Sequence, residues 1–446
     1  MNSSLKEKLK NFLLWSQKHT QTDMLYIARG GFWTGLGLVV STLFSLAVVV
    51  AFANLVPRET YGTYKYILSL AGALTFLSFS GMNTAVTQAV ARGHEGVFPY
   101  SVRVQLKTNI VFLLGLSVLG GYYLWHSNAT LAFPLFILAG TLPLSTAFNT
   151  FGALLSGKKE FKRLALWTTI SSGFSALLLL STVLVTHNLN LLISAYTLGI
   201  FFPMIFFYFR AKKTLTHTHV SEEEKEELVR YGGHLTFINI FSTLSQYVDK
   251  IVIFHFLGSV ELAIYALALA LPDRIKGYAK VFAGILLPKL TERSIADIKS
   301  VFYKRTFQGM AIGFLLSIGY ILVAPLVFRT FLPQYLDALS YSRVFSLSLI
   351  ILVPATYMSS VLRSQRMLKT IYLSSTVAHI LRIILFILFG WRWGIWGVIT
   401  ASLAVYLFGL FYNFFLWELE IRRHLGFTRD IDEQPLGEES RPQPIE

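Results

Sequence analysis

The chain has 446 residues, of which 54% are hydrophobic and only 14% are charged. Soluble domains carry about 25% charged residues, so this composition excludes a soluble globular protein and predicts an integral membrane protein. The formal net charge is +15. Lys and Arg residues nevertheless occur in alternate connections between apolar segments, which indicates membrane topology and excludes a nucleic-acid-binding surface.

The first residues form a separate segment ahead of the apolar runs. Residues 4–16 place leucines and a phenylalanine on one helical face and lysines largely off it. This pattern favours a basic amphipathic helix lying on an anionic membrane surface. A solvated tail ahead of the first span is an equally good interpretation of the same residues.

Twelve apolar runs follow, each long enough to cross roughly 30 Å of hydrocarbon, and they predict twelve transmembrane helices. The runs cover residues 30–55, 61–80, 104–125, 131–155, 164–186, 190–209, 232–256, 260–286, 306–328, 338–361, 370–390 and 394–417. The even-numbered connections hold almost all of the basic residues. Because basic loops stay in the cytoplasm, both termini are predicted to be cytoplasmic.

The longest connection, which is strongly charged, follows the sixth run and divides the chain into two parts of six helices each. A short similarity between residues 53–64 and 255–266 supports this repetition, and paired lobes with a site between them are common in transporters. The sequence therefore predicts an all-α membrane fold with two six-helix lobes around a central cavity. The predicted parts are an N-terminal segment (1–29), an N-lobe (30–213), a cytoplasmic linker (214–229), a C-lobe (230–420) and a disordered, acidic, Pro-rich tail (421–446).

Ionisable side chains inside the predicted spans are the candidate functional residues, since such groups are costly at membrane depth and mark transport pathways. Seven are cations: Lys65, Lys250, Arg274, Lys276, Lys280, Arg343 and Arg382. Two are acids, Asp249 and Asp273, which are candidates for ion coupling or for a structural role. Two acids cannot neutralise seven cations, and buried unpaired charge costs several kcal/mol. A hydrated cavity for a phosphate or diphosphate would relieve that cost.

Simpler interpretations remain for several of these residues. Lys65 and Arg343 lie close enough to a predicted boundary to extend to the membrane surface. Asp249 is able to pair with Lys250, and Asp273 with Lys276 one turn further on. Pro272 predicts a break in the eighth helix just before Asp273, because proline removes a backbone hydrogen bond.

Motifs of soluble enzymes do not occur in the sequence. It contains no GxxxxGK[ST] loop for a nucleotide, no His/Glu cluster with metal spacing and no large loop carrying paired carboxylates. The sequence therefore predicts a transporter without a cofactor or metal, driven by an H⁺ or Na⁺ gradient or by product removal, and not an enzyme.

Several stretches resemble the polysaccharide-biosynthesis flippases, the Wzx-like family of the multidrug/oligosaccharidyl-lipid/polysaccharide (MOP) exporter superfamily. The similar elements are the P-x-x-x-Y-G-x-Y turn from Pro57 to Tyr64, the Gly81-Met82-Asn83 sequence, and YVDKIVIFHFLGSVELAIYALALAL followed by LLPKLTE. The resemblance implies a cavity that opens alternately to each side. It also implies that undecaprenyl-diphosphate-linked oligosaccharide moves outward across the bacterial inner membrane, and it places Asp249, Lys250 and the charges of the eighth helix in the cavity.

Two other functions remain as alternatives: a cation-coupled multidrug exporter of the same superfamily, and a membrane-embedded saccharide polymerase or ligase. The expected partners are a polyprenyl-diphosphate-linked saccharide and membrane lipids, with a glycan polymerase or glycosyltransferases as candidate protein partners. We expect a monomer with no nucleic-acid partner.

Overall fold

The computed structural model describes the backbone of residues 24–216, 219–291, 295–365 and 367–432. Side chains are described from Trp33 to Arg422, with further gaps that include residues 279–289. The predicted amphipathic segment at residues 4–16 and the end of the acidic tail lie outside these residues, so both stay predictions.

The described residues form helices joined by short connections and contain no β-strand, which confirms the predicted all-α fold. The helices are α1 (Met24–Leu55), α2 (Arg58–Leu74), α3 (Met82–Ala91), α4 (Val97–Thr108), α5 (Ile110–Trp125), α6 (Ala129–Phe148), α7 (Phe151–Gly157), α8 (Phe161–Val185), α9 (Leu189–Lys212), α10 (Glu222–Ser245), α11 (Val248–Leu257), α12 (Ser259–Thr291), α13 (Ile295–Phe331), α14 (Ala338–Ser346), α15 (Ser348–Ser364) and α16 (Leu368–Asp432). Short 3₁₀ helices cover Thr75–Leu77 and Pro333–Tyr335.

The chain is a multi-pass membrane protein. Within the described residues, eight helices are long and apolar enough to cross a membrane, or up to nine if the bent pair Arg58–Leu77 and Met82–Ala91 counts as one span. The count of twelve stays a prediction. Three predicted spans account for the difference, because α10 and α11 are interrupted at Gln246–Tyr247, α12 carries several charged residues, and the last two predicted spans lie in the single helix α16.

The predicted break at Pro272 is wrong. Helix α12 continues through this proline without interruption, as membrane helices do when neighbouring groups satisfy the freed backbone atoms. A different helix, α16, is interrupted at Gly394, where φ is 59° and ψ is −137°. Glycine adopts this left-handed conformation at little cost, so it separates the two last predicted spans, 370–390 and 394–417.

We call residues 24–216 the N-terminal half and residues 219–432 the C-terminal half. The two halves approach each other closely along α2, which packs against α11 and α12. A Cβ atom on Gly62 would lie 1.7 Å from the carbonyl oxygen of Ser259, and one on Gly81 would lie 2.2 Å from that of Gly232. These two positions therefore require glycine, because a backbone of the other half occupies the space of a side chain. Gly62 and Gly81 both belong to the motifs that the sequence shares with the flippases.

We call the end of the bundle at Arg58 and Asp337 the distal end. Here Arg58 forms a 2.8 Å ion pair with Asp337 and also donates to the backbone carbonyl of Gln334. The Asn54 amide donates to the Phe331 carbonyl at 2.8 Å. These contacts join α1 and α2 to the segment that follows α13, so the two halves meet at this end.

The opposite end, where α9 ends and α10 begins, is called the linker end. Arg92 pairs with Glu227 at 3.0 Å, and the Gln88 amide donates to the Tyr231 hydroxyl at 2.9 Å. Helix α10 therefore rests on α3 across the boundary between the halves. The halves contact each other at both ends of the bundle.

A second ion pair stabilises the linker end within the N-terminal half. Lys158 contacts Glu95 at 2.7 Å, and the Thr216 hydroxyl donates to the same carboxylate at 3.1 Å. Burial alone would raise the pKa of Glu95, but the hydrogen bonds from Lys158 and Thr216 outweigh it and hold the pKa below 4.5.

Candidate functional site

A cavity of about 220 Å³ lies between the two halves, near the middle of α2 and α12. Its lining comes from α1, α2, α11 and α12 and comprises Val49, Tyr61, Lys65, Lys250, Ala266, Leu269, Ala270, Asp273 and Arg274. We call it the cation cavity, because three of the seven predicted cations meet there.

Lys65 is the contribution of the N-terminal half to this cavity. Its Nζ lies 5.2 Å from the centroid of the Tyr61 ring, a cation–π distance. No carboxylate among the described residues pairs with it. Lys65 therefore lines the cavity between the halves. The simpler interpretation was that its side chain extends to the membrane surface.

Lys250 enters the cavity from α11 and carries its own partner. Its Nζ lies 3.2 Å from both carboxylate oxygens of the adjacent, buried Asp249. The Tyr265 hydroxyl donates to Asp249 at 2.8 Å. The predicted Asp249–Lys250 pair is thus present, and Asp249 supports Lys250 from behind without lining the cavity.

Helix α12 presents two of its charges to the cavity and turns a third away. Arg274 donates a hydrogen bond to the Ser45 hydroxyl of the N-terminal half and has no carboxylate partner among the described residues. Asp273 contacts Lys276 at 3.3 Å, as predicted. Lys276 itself is buried away from the cavity, with its Nζ 3.6 Å from the centroid of the Phe345 ring.

The remaining predicted cations do not line the cation cavity in the described part of the chain. Arg382 lies 5.2 Å from the Tyr406 ring centroid, and Lys276 contacts the same tyrosine. The Nε atoms of Arg343 and Arg382 are buried and have no hydrogen-bond partner among the described residues. The side chain of Lys280 lies outside the described residues.

A second, larger space adjoins the cation cavity. It measures about 480 Å³ and lies between α1, α8 and α9 of the N-terminal half. Arg274 lines both spaces, so they meet at its side chain. Seven serine and threonine residues line this hydroxyl groove: Ser41, Thr42, Ser45, Thr168, Ser171, Ser172 and Ser175.

Sequence reasoning missed the hydroxyl groove, although a signal for it exists. Thr168, Ser171, Ser172 and Ser175 are spaced by three, one and three residues, which places them on one face of α8. Serine and threonine are ordinary in membrane helices, where their hydroxyls bond to their own backbone. The stripe therefore does not stand out as charged residues do.

The charge of the cation cavity determines what it is able to bind. Asp249 pairs with Lys250 and Asp273 pairs with Lys276, so Lys65 and Arg274 contribute two positive charges in excess. Arginine grips phosphate oxygens bidentately, and lysine acts as a point charge. An anion with more than one charge would neutralise the remaining excess. No group of His, Asp and Glu among the described residues is arranged to hold a metal ion.

Comparison with known proteins supplies independent information. Residues 27–294 match the family model described as "Polysaccharide biosynthesis protein". The protein named "Putative O-antigen transporter" in Shigella flexneri is 22% identical over 319 residues, which are 67% of this chain and 73% of that protein. An uncharacterised membrane protein of Methanocaldococcus jannaschii is 23% identical over 87% of this chain and 98% of its own length.

Solved structures show the same fold at low sequence identity. The inward closed conformation of the Lipid II flippase MurJ superposes with a TM-score of 0.65 and 15% identity, covering 86% of each chain. An inward-facing multidrug resistance MATE family transporter of the MOP superfamily superposes with a TM-score of 0.64 and 14% identity, covering 85% of this chain and 95% of the other. The chain shares its fold with these two transporters, and it belongs to the polysaccharide biosynthesis protein family.

Proposed function

We propose that this protein binds the diphosphate of a polyprenyl-diphosphate-linked saccharide between its two halves and moves it across the membrane by alternating access. The meeting of Lys65, Lys250 and Arg274 in one cavity carries the proposal. A diphosphate brings enough negative charge to pair with cations that otherwise have too few acids. The relatives support this function, since one is named as an O-antigen transporter and another is the Lipid II flippase MurJ.

The proposed movement uses the two predicted lobes, residues 30–213 and 230–420, as the moving bodies. The halves contact each other at the distal end through Arg58 and Asp337, and at the linker end through Arg92 and Glu227. Opening one end while keeping the other closed would expose the diphosphate site to one side of the membrane. The basic connections predict that the linker end and both termini are cytoplasmic, so the proposed direction of export is from the linker end to the distal end, across a bacterial inner membrane.

The energy source belongs to the same proposal. The sequence contains no nucleotide-binding loop, so an H⁺ or Na⁺ gradient or removal of the product drives transport. Asp249 and Asp273 are the acids available to respond to an ion, and both contact a lysine. Both acids are therefore candidates for ion coupling, and each has a lysine as its partner.

A cation-coupled multidrug exporter is the competing function, because MATE transporters share the fold. The charge of the cavity favours the flippase. An exporter of cationic drugs needs an acidic binding site, and three cations line this one. Organic cations such as ethidium therefore serve as the discriminating probe.

The test measures binding to the purified protein in lipid nanodiscs. Undecaprenyl diphosphate should bind, whereas undecaprenol, which lacks the charge, and ethidium should not. The triple variant Lys65→Ala/Lys250→Ala/Arg274→Ala should bind undecaprenyl diphosphate at least about a hundredfold more weakly, because charge-assisted hydrogen bonds contribute about 1.5–3 kcal/mol each.

A matched control keeps the change in net charge the same. Lys107, Arg329 and Arg392 are exposed and lie away from the cavity, so their replacement by alanine should leave binding unchanged. Transport is then followed in proteoliposomes with a fluorescent undecaprenyl-diphosphate-linked saccharide and an impermeant quencher. Equal binding of undecaprenol and undecaprenyl diphosphate, or wild-type affinity in the triple variant, would refute the proposal.

A further inference from the structure

The hydroxyl groove differs from the cation cavity in the chemistry that it offers. Apart from Arg274 at the junction, its lining has no charged residue. Its volume of about 480 Å³ falls in the range of ordinary ligand pockets, about 300–1,000 Å³. Charge and hydroxyl groups are therefore segregated into two adjoining compartments.

Most hydroxyls on α8 already have partners. Those of Thr168, Ser171 and Ser172 donate to backbone carbonyls within α8, and that of Ser175 donates to Gly199 on α9 at 2.5 Å. These groups need no ligand to satisfy their donors. The α8 side of the groove is consequently only weakly polar.

Three hydroxyls on the facing side have no hydrogen-bond partner within the described residues. Ser41 and Thr42 on α1 and Tyr196 on α9 line the groove, and none of them makes a hydrogen bond to the described part of the chain. Thr42 is only 7% exposed. The three hydroxyls are accessible from the groove, and a ligand that displaced water from them without replacing its hydrogen bonds would cost about 1–3 kcal/mol for each. The groove is thus suited to an uncharged ligand that carries its own hydrogen-bonding groups.

This requirement decides between the two parts of a lipid-linked saccharide that adjoin the diphosphate. An isoprenoid chain would leave the three hydroxyls unpaired, and it already has a favourable solvent in the bilayer. A sugar offers hydroxyls to pair with them and carbon–hydrogen faces for the aromatic rings of Phe44 and Tyr196, both in the lining. Arg274 reaches Ser45 from the diphosphate side and lies where the two ligand parts join.

We propose that the hydroxyl groove is a saccharide subsite, which binds the sugar next to the diphosphate through Ser41, Thr42 and Tyr196. This assignment rests on the proposed function, since it takes the diphosphate as bound in the cation cavity. The N-terminal half then recognises the sugar, and the C-terminal half supplies two of the three cations that bind the diphosphate, Lys250 and Arg274.

The test compares two lipids in nanodiscs: undecaprenyl diphosphate, and undecaprenyl diphosphate that carries one N-acetylglucosamine. The wild-type protein should bind the sugar-bearing lipid more tightly. The variant Ser41→Ala/Thr42→Val/Tyr196→Phe should lose at least about tenfold in affinity for the sugar-bearing lipid, as expected for three lost hydrogen bonds of about 0.5–1.5 kcal/mol each. Its affinity for the bare lipid should change less than about twofold.

The control variant Thr182→Val/Ser194→Ala removes hydroxyls outside the groove from α8 and α9, two of the three helices that line it. Both hydroxyls already donate to backbone carbonyls, those of Leu178 and Asn190, so both affinities should stay at the wild-type values. Equal weakening for both lipids would assign the groove to the isoprenoid chain, and no weakening for either would leave it without a role in binding. Either result overturns the saccharide subsite while the diphosphate site stands. Failure of the wild-type protein to bind either lipid would overturn the proposed function as well.

Discussion

Replacing Gly62 with alanine is expected to weaken the contact between the two halves near the distal end. The new Cβ would lie 1.7 Å from the Ser259 carbonyl oxygen, and α2 and α12 must separate until this distance is at least 3.0 Å. Such overpacking costs about 1–3 kcal/mol, and the better helix propensity of alanine does not offset it, because α2 is helical whether the halves are together or apart. The population of conformations with separated halves should therefore rise by about 5- to 150-fold.

The absence of native cysteine makes this change measurable. Ala266 lines the cation cavity, so Ala266→Cys introduces one thiol at the place of interest. The rate of its alkylation by a water-soluble maleimide, measured on detergent-purified protein, reports how often the cavity opens. We expect the rate to rise by the same factor of about 5 to 150 when Gly62→Ala is added.

The matched control is Gly140→Ala in α6, where a Cβ would meet no atom within 4 Å. This variant has the same change in helix propensity and should alkylate at the rate of the parent. If Gly62→Ala alkylates no faster than the parent, or if Gly140→Ala accelerates equally, the close approach at Gly62 does not hold the halves together.

Three further predictions concern the ion pairs. Asp249→Ala should lower the free energy of unfolding by about 3 kcal/mol, because it leaves Lys250 unpaired in a largely buried place. Thermal melting in detergent should show a smaller loss of stability for the double variant Asp249→Ala/Lys250→Ala. An equal or larger loss in the double variant would contradict the pairing. Because the pKa of Glu95 is lowered in the folded protein, its ionised carboxylate should stabilise the fold above pH 4.5, and this stabilisation should be lost as the pH falls through the folded-state pKa. The variant Glu95→Gln should flatten the dependence of the melting temperature on pH. An unchanged profile would exclude Glu95 as the source of that dependence. The Arg58–Asp337 pair is partly exposed and should contribute about 0.2–1 kcal/mol. Both Arg58→Ala and 1 M salt should therefore speed alkylation of the cavity thiol less than about fivefold. A larger acceleration would show that this ion pair is a main contact holding the halves together.

The cations of the site could be predicted from the sequence because charge within an apolar helix is conspicuous. Which of them share a cavity could not be predicted with equal certainty. Arg274 and Lys276 are two positions apart, which is about 200° of rotation on a helix. Arg274 accordingly reaches Ser45 in the other half, whereas Lys276 packs against Phe345 in its own half. The side chain that faces the cavity depends on where the partner helices lie.

Other features depend on contacts that sequence patterns do not encode. Gly62 and Gly81 were recognisable as members of shared motifs, but their physical role requires the backbone of the opposite half to be in place. Thr42 resembles any other hydroxyl residue of a membrane helix until its lack of a partner is seen in three dimensions. The predicted break at Pro272 failed for a related reason, since a membrane helix tolerates proline when its surroundings allow it.

The three lining cations belong to different halves: Lys65 to the N-terminal half, and Lys250 and Arg274 to the C-terminal half. In the proposed movement, the distances between a bound anion and these three cations change whenever the halves rotate. If the anion binds the two orientations of the halves with different affinities, the difference in binding free energy equals the shift that the anion causes in the equilibrium between these orientations. A carrier that gripped the anion equally firmly at all three points would hold it in one orientation. Rapid turnover thus requires at least one of these contacts to break during each crossing.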